Sequence, residues 1–228
     1  MALYAIGDTH LSLSNEKKAM DVFGGRWTGY VDKLREGFQV VQPSDTVVLC
    51  GDLSWGMSLE EARADLAFLN ALPGRKILLK GNHDFWWTTA SKMNRFFEEN
   101  GFRFELLHNS ALPYEDKWLC GTRGWFLEQE QSGNNEKLRA REAQRLELSL
   151  KAAGAGEKLV FLHYPPLYQG YRCPELLEVL RRWQVRRCCF AHLHGASVRL
   201  ALQGEREGTD FTLVSADSLN FVPRKLLE

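Results

Sequence analysis

Five apolar runs in this 228-residue chain end in side chains of metal-binding type. The endings are Asp8-Thr9-His10, Gly51-Asp52, Gly81-Asn82-His83-Asp84, His163, and His192-Leu193-His194. Together they supply seven candidate ligands, namely Asp8, His10, Asp52, Asn82, His163, His192 and His194. Imidazoles, carboxylates and one amide oxygen suit borderline or hard divalent ions such as Mn, Fe or Zn. Seven donors are too many for one tetrahedral ion and suit two. A shared carboxylate holds such a pair about 3.5–4 Å apart, and polarised water or phosphate is the chemistry that two close dications perform. Asp52 is the natural bridge, because both ions would otherwise be short of negative charge. Residues i and i+2 of an extended segment face the same way, so Asp8/His10 and His192/His194 can each address one pocket.

Each piece is weak alone. Asp-x-His and Gly-Asp after a strand are common turns, and Gly-Asn-His-Asp can be a turn with Asn in a left-handed conformation. The recurrence is what points to metal. His108, in Leu107-His108-Asn109-Ser110, joins no cluster and reads as structural or surface.

The elements that must position these residues are legible as periodicities. Strand-like runs are Leu3–Ile6, Thr46–Cys50, Lys76–Leu79, Phe102–Leu107, Lys117–Cys120, Leu159–Leu162, Val185–Phe190, Val198–Leu202 and Phe211–Val214. Several are apolar throughout, as strands covered on both faces are. Helical spacing appears at Trp27, Val31, Leu34, Phe38 and Val41, with Pro43 as the stop. It recurs at Leu59, Ala62, Leu66 and Leu69 behind a Ser58/Glu61 capping box. Further helices are expected around Met93–Phe97, over Asn134–Ala153, and from Pro174 to Trp183. Strand and helix alternate through the first half, which argues for parallel pairing with helical crossovers. Val198–Leu202 and Phe211–Val214 read as the arms of a hairpin. Two packed mixed sheets with flanking helices fit this order best, in a single domain over residues 1–228.

The totals exclude several classes. Lys+Arg and Asp+Glu are both 29, so bulk nucleic-acid binding is not expected. No apolar run reaches the roughly 18 residues of a membrane span. The N-terminus, Met1-Ala2-Leu3-Tyr4-Ala5-Ile6, lacks a signal-type pattern, so a cytoplasmic location is expected. The cysteines number five, an odd count, with Cys188 and Cys189 adjacent and no Cys-x-x-Cys pair; buried thiols are expected.

In order and spacing these motifs strongly resemble the calcineurin-like metallophosphoesterases, in particular the bacterial phosphohydrolase type. That family's pattern is Asp-x-His, Gly-Asp, Gly-Asn-His-Asp/Glu, a lone His, and Gly-His-x-His, and the resemblance spans residues 7 to 195 here. Ala191 stands where the family's last Gly is usual, which would add strain if that backbone needs positive φ. The resemblance implies a four-layer α-β-β-α sandwich of two mixed sheets flanked by helices. It implies one ion on Asp8, His10, Asp52 and His194, and another on Asp52, Asn82, His163 and His192, with Mn favoured. A hydroxide bridging the ions would attack a phosphodiester or phosphomonoester. His83 looks like the family's catalytic histidine, stabilising the transition state and protonating the leaving oxygen, with Asp84 orienting it.

Outside the motifs the sequence leaves alternatives open. Arg123 reads either as a forked grip on substrate phosphate or as an ordinary ion pair. Trp55, Phe85, Trp86, Trp87, Trp125 and Tyr164 flank the motifs and either stack on substrate or pack. Residues 123–137 read as a surface loop or an active-site flap. A small-molecule phosphate ester is the expected partner; a non-catalytic metal-binding scaffold and a metal-dependent nuclease are the alternatives.

Overall fold

The computed structural model describes residues 1–125 and 135–228. Most of the 123–137 stretch therefore lies outside the described residues. The strands are β1 (Leu3–Ile6), β2 (Thr46–Leu49), β3 (Arg75–Leu78), β4 (Phe104–Leu106), β5 (Ala111–Tyr114), β6 (Lys117–Thr122), β7 (Lys158–Leu162), β8 (Leu167–Tyr168), β9 (Tyr171–Arg172), β10 (Arg187–Phe190), β11 (Gly204–Arg206), β12 (Thr209–Leu213) and β13 (Arg224–Leu227). The α-helices are α1 (Tyr30–Gly37), α2 (Arg63–Ala71), α3 (Ala90–Glu99), α4 (Asn135–Ala152) and α5 (Pro174–Arg182).

The chain divides into two compact units, residues 1–106 with 214–228, and residues 107–213. The first unit holds a sheet of order β13-β1-β2-β3-β4. Its inner pairings are parallel and β13 is antiparallel at the edge. Strands β1 and β2 are buried at every residue, which explains their unbroken apolar sequences. Ile6, Leu49 and Leu78 stand level across β1, β2 and β3. The segments carrying Asp8, Asp52 and Asn82 therefore start from one line. Leu34 and Phe38 from the α1 region, Leu66 and Leu69 from α2, and Met93 and Phe97 from α3 close the core on this sheet.

The second unit holds a sheet of order β11-β12-β10-β7-β6-β5. Four inner strands are parallel and both edge strands are antiparallel. Cys189 pairs with Phe161, which sets Phe190 level with Leu162. His163 and His192 follow those two residues. Its own core joins Leu146 and Leu150 of α4, Leu176 and Leu180 of α5, and Val160, Phe190 and Phe211 of the sheet. The molecule is thus an α/β protein of mixed sheets flanked by helices.

Two expectations need correction. Val198–Leu202 is not a hairpin arm: residues Gly195–Leu200 form a 3-10 helix, and the hairpin is made by β11 and β12. Ser197 decides this locally, since its Oγ accepts from His194 N at 2.9 Å and donates to His194 O at 2.7 Å. Apolar alternation cannot compete with a turn closed by a side chain. The Ser58/Glu61 pair caps a turn ahead of α2, not α2 itself: Glu61 N reaches Ser58 Oγ at 3.3 Å, while α2 begins at Arg63. All five cysteines are free and buried, as expected. His108 is exposed beside Asn109.

Candidate metal centre

In the first unit the segments after β1 and β2 run on as a ladder beyond the strands. Asp8 N donates to Gly51 O at 2.8 Å, His10 N to Asp52 O at 2.9 Å, and Leu11 N to Leu53 O at 3.0 Å. Thr9 Oγ1 adds a bond to Leu53 O at 2.9 Å. These bonds bring Asp8 and His10 beside Asp52. Asp8 and His10 offer ligand atoms within 4.8 Å of each other. Asp52 Oδ1 accepts from His83 N at 2.7 Å, and its Oδ2 lies 3.8 Å from His10 Nε2. Asp8, His10 and Asp52 are buried, while Asn82 and His83 are half-buried.

The backbone here is held in an unusual conformation. Among the described residues ten non-glycine positions have positive φ, and they include Asp8 (57°), His10 (43°), Asp52 (53°) and His192 (73°). Such a conformation costs a non-glycine residue roughly 1–3 kcal/mol and persists where its surroundings over-determine it, often at functional sites. Ala191 is not among these positions, so the change from Gly there brings no left-handed strain. Gly81 is needed for a different reason. A Cβ at that position would stand 2.1 Å from Asp52 Oδ1 and 2.3 Å from Asp52 N, so only glycine lets the carboxylate occupy its place.

Asp84 is the brace. Fully buried, it accepts from Asp52 N (2.9 Å), Leu53 N (2.8 Å), Gly81 N (2.8 Å) and Trp86 Nε1 (3.0 Å). One carboxylate thereby ties the turn after β2 to the turn after β3. Asp65 of α2 ties the segments after β1 and β2 in the same manner, accepting from Leu13 N at 2.7 Å and Ser54 Oγ at 2.5 Å. Its burial pushes its pKa above the ordinary carboxylate range. Tyr30 supports His10 from below through a 3.1 Å bond from its hydroxyl to His10 O, and burial pushes that phenol up to about 12. The reading of the sequence missed Asp65 and Tyr30. A usable signal was the charge of Asp65 between Ala62 and Leu69, on the helix face that packs inward.

In the second unit His163 and His192 offer ligand atoms within 4.8 Å of each other, with ring centroids 5.2 Å apart. His163 O accepts from Ala191 N at 3.0 Å, which fixes the ends of β7 and β10 together. Tyr164 packs edge-on against both rings, at 5.1 Å from His163 and 4.6 Å from His192. His194 follows on the segment that Ser197 closes, and is half-buried. Arg123 stands beside His163: its carbonyl accepts from His163 N at 3.1 Å and from Tyr164 N at 2.9 Å. Its guanidinium lies 5.9 Å from the Tyr164 ring centre, and its buried Nε has no hydrogen-bond partner among the described residues.

These donors fit divalent metal. Buried carboxylates need compensating positive charge. The Asp8/His10/Asp52 group offers carboxylate oxygen and imidazole nitrogen from backbone already fixed by the ladder and by Asp84. The His163/His192 pair adds two imidazoles at the end of a rigid parallel sheet. Gly81, lacking a Cβ, leaves room for the Asp52 carboxylate.

A family model described as calcineurin-like phosphoesterase matches residues 1–196, and the chain belongs to that family. The fold and the Asp/His clusters are those of a metal-dependent hydrolase of this family. A comparison with curated proteins returned no match. Among solved structures the chain is similar to a protein of unknown function, AQ665, from Aquifex aeolicus, at 18% identity and TM-score 0.50, covering 98% of this chain and 95% of that one. It is similar to a phosphopantetheinyl hydrolase from Mycobacterium tuberculosis at 13% identity and TM-score 0.59, covering 99% and 95%. It is also similar to TT1561 of Thermus thermophilus at 11% identity and TM-score 0.56, covering 99% and 97%. At these identities the likeness is one of fold. Among the described residues no helix is long and apolar enough to cross a membrane.

Proposed function

We propose that the protein is a dinuclear metal-dependent phosphoesterase acting on a small-molecule phosphodiester or phosphomonoester, and that both units together make one catalytic domain. Asp8, His10, Asp52 and His194 would hold one ion, and Asp52, Asn82, His163 and His192 the other, with manganese the favoured metal. When bound, the pair supplies water of lowered pKa and neutralises phosphate charge. His83 donates a proton to the departing ester oxygen. It is half-buried, and its backbone is tied to Asp52. Asp84 fixes that segment from behind. Arg123, held beside His163 by its own carbonyl, grips a substrate phosphate oxygen.

One observation carries this reading: Asp52 has one oxygen bonded to the His83 backbone and the other facing His10, so ligand and proton donor share a single carboxylate anchor. The test is hydrolysis of bis-p-nitrophenyl phosphate and p-nitrophenyl phosphate by Mn²⁺-loaded and chelator-stripped protein, with metal content measured. We expect metal-dependent turnover that falls by more than about 100-fold in Asp52→Asn, since even indirect supports of metal sites are worth 10–100-fold. Full activity of the stripped protein, or of Asp52→Asn, would overturn the mechanism. Stoichiometric metal binding without turnover of any ester would leave a metal-binding scaffold.

A further inference from the structure

Trp55 and Phe85 both pack near the His83 imidazole within the first unit, as does the His10 ring at 5.8 Å. The Trp55 ring centre lies 4.6 Å from that of His83 at an interplanar angle of 49°, and the Phe85 ring lies 6.1 Å away at 73°. Trp55 also stacks on His10, at 4.8 Å and 22°. Its indole Nε1 is closed off from solvent and has no hydrogen-bond partner among the described residues, so stacking and the backbone set the ring. The backbone on either side is pinned: Trp55 N donates to Leu11 O at 2.9 Å, and Trp55 O accepts from Lys18 Nζ at 3.2 Å.

Phe85 is 54% exposed, so folding draws little from its burial. Its backbone is nevertheless fixed, with Phe85 N bonded to His83 O at 2.8 Å. An exposed aromatic ring held on fixed backbone against the proposed proton donor is available to a ligand.

We propose that Trp55 and Phe85 form a subsite for the leaving group, selecting phosphate esters whose departing oxygen carries an aromatic or extended apolar group. The inference rests on the reading of His83 as the proton donor. In the hydrolysis, water oxygen forms the new bond to phosphorus, and the bond to the ester oxygen breaks with its electron pair left on that oxygen. One proton of the water is delivered in net terms, through His83, to the departing oxygen; the other stays on the phosphate. The group attached to that oxygen must therefore lie against His83, beside the rings of Trp55 and Phe85. Ring-on-ring contacts of this kind change affinity by roughly two- to tenfold per pair.

The experiment compares 1-naphthyl phosphate with methyl phosphate in the wild type, Phe85→Ala, Phe85→Trp and Trp55→Leu, all Mn²⁺-loaded with metal content measured. Phe85 carries the test because it touches no proposed ligand, whereas Trp55 packs on His10. The wild type should prefer the naphthyl ester in kcat/KM, and Phe85→Ala should reduce the naphthyl-to-methyl ratio by about tenfold at most and at least threefold. Phe85→Trp should restore the ratio, and Trp55→Leu should lower it at least as far as Phe85→Ala does. Equilibrium binding of 1-naphthyl phosphate against inorganic phosphate, read by calorimetry in the same proteins, should show the same loss. A ratio unchanged within twofold in Phe85→Ala, by either readout, would overturn the subsite. If the wild type hydrolysed neither these esters nor bis-p-nitrophenyl phosphate, the phosphoesterase reading would fall, and the binding ratio alone would decide whether the apolar subsite stands.

Discussion

Each unit contains a fully buried carboxylate that braces its share of the ligands, and the two work differently. In the first unit Asp84 accepts from four backbone N–H groups and the Trp86 indole, all donors that carry no charge of their own. In the second, Glu142 of α4 accepts from Thr122 Oγ1 at 2.9 Å and from the Arg145 guanidinium at 2.6 Å. Asp84 shapes turns in which Asp52 is left-handed. Glu142 pins a helix to the end of a regular strand, one residue before Arg123. Backbone that is strained needs its amides gripped directly. Backbone that is already extended and paired needs only its neighbours kept in place. The ligands divide along the same line: three of the four left-handed candidates, Asp8, His10 and Asp52, belong to the first unit, and only His192 to the second.

That contrast can be broken from either side. The largest effect should come from His83→Ala, which removes the proton donor and leaves every proposed ligand in the chain. Turnover should fall about 10²–10⁴-fold while metal content by elemental analysis stays at the wild-type level. Loss of metal in that variant would make His83 a ligand. Next comes Asp84→Ala, which leaves several buried amides unsatisfied at roughly 1–3 kcal/mol each. Equilibrium urea unfolding should show a loss of about 3–5 kcal/mol, and metal affinity should drop with it.

Glu142→Gln should cost less, about 1–2 kcal/mol, because the amide can still accept from Thr122 and Arg145 is partly solvated. A loss equal to that of Asp84→Ala would erase the distinction between the two braces. The smallest effect belongs to Glu105 of β4, which Arg75, at the end of β3 away from the site, bonds through two nitrogens at 2.6 and 2.9 Å. The Arg75 guanidinium holds the Glu105 carboxyl below its ordinary range. A depressed carboxylate contributes stability above its unfolded pKa and loses it as pH falls through the folded value. Glu105→Gln should therefore cost about 0.5 kcal/mol near neutrality and nothing in acid below the folded value. An unfolding series against pH that stayed parallel for the two proteins would contradict this.

Much of the fold was legible because its inner strands are parallel and covered on both faces. That condition writes short apolar blocks such as Leu3–Ile6 and Thr46–Leu49 directly into the sequence, and each block ends where a candidate ligand begins. The crossover helices were legible from apolar spacing, although α1 and α2 begin later than the spacing implied. β13 was not legible: Arg-Lys-Leu-Leu is mostly exposed, and only its partner β1 makes it a strand. Nor was the bracing. An aspartate that accepts backbone amides 30 positions away looks, in sequence, like any turn aspartate. The arrangement of rings around His83 is likewise a tertiary fact. Sequence placed Trp55 and Phe85 near the motifs but could not say which of the flanking aromatics touch the imidazole.

The pairing of β1 with β13 has a consequence for how the molecule is made. β1 is made about 200 residues before the segment that closes its outer edge: Gly7 N bonds Val214 O at 2.7 Å, Ala216 N bonds Gly7 O at 3.0 Å, and Arg224 pairs with Ala5. Until that segment emerges, the strand leading into Asp8 and His10 carries an open hydrogen-bonding edge, which is a hazard for aggregation during synthesis. The second unit lies wholly within residues 107–213 and has no such dependence on residues 214–228. Translation therefore completes the second unit before the strand leading into Asp8 and His10 gains its closing partner.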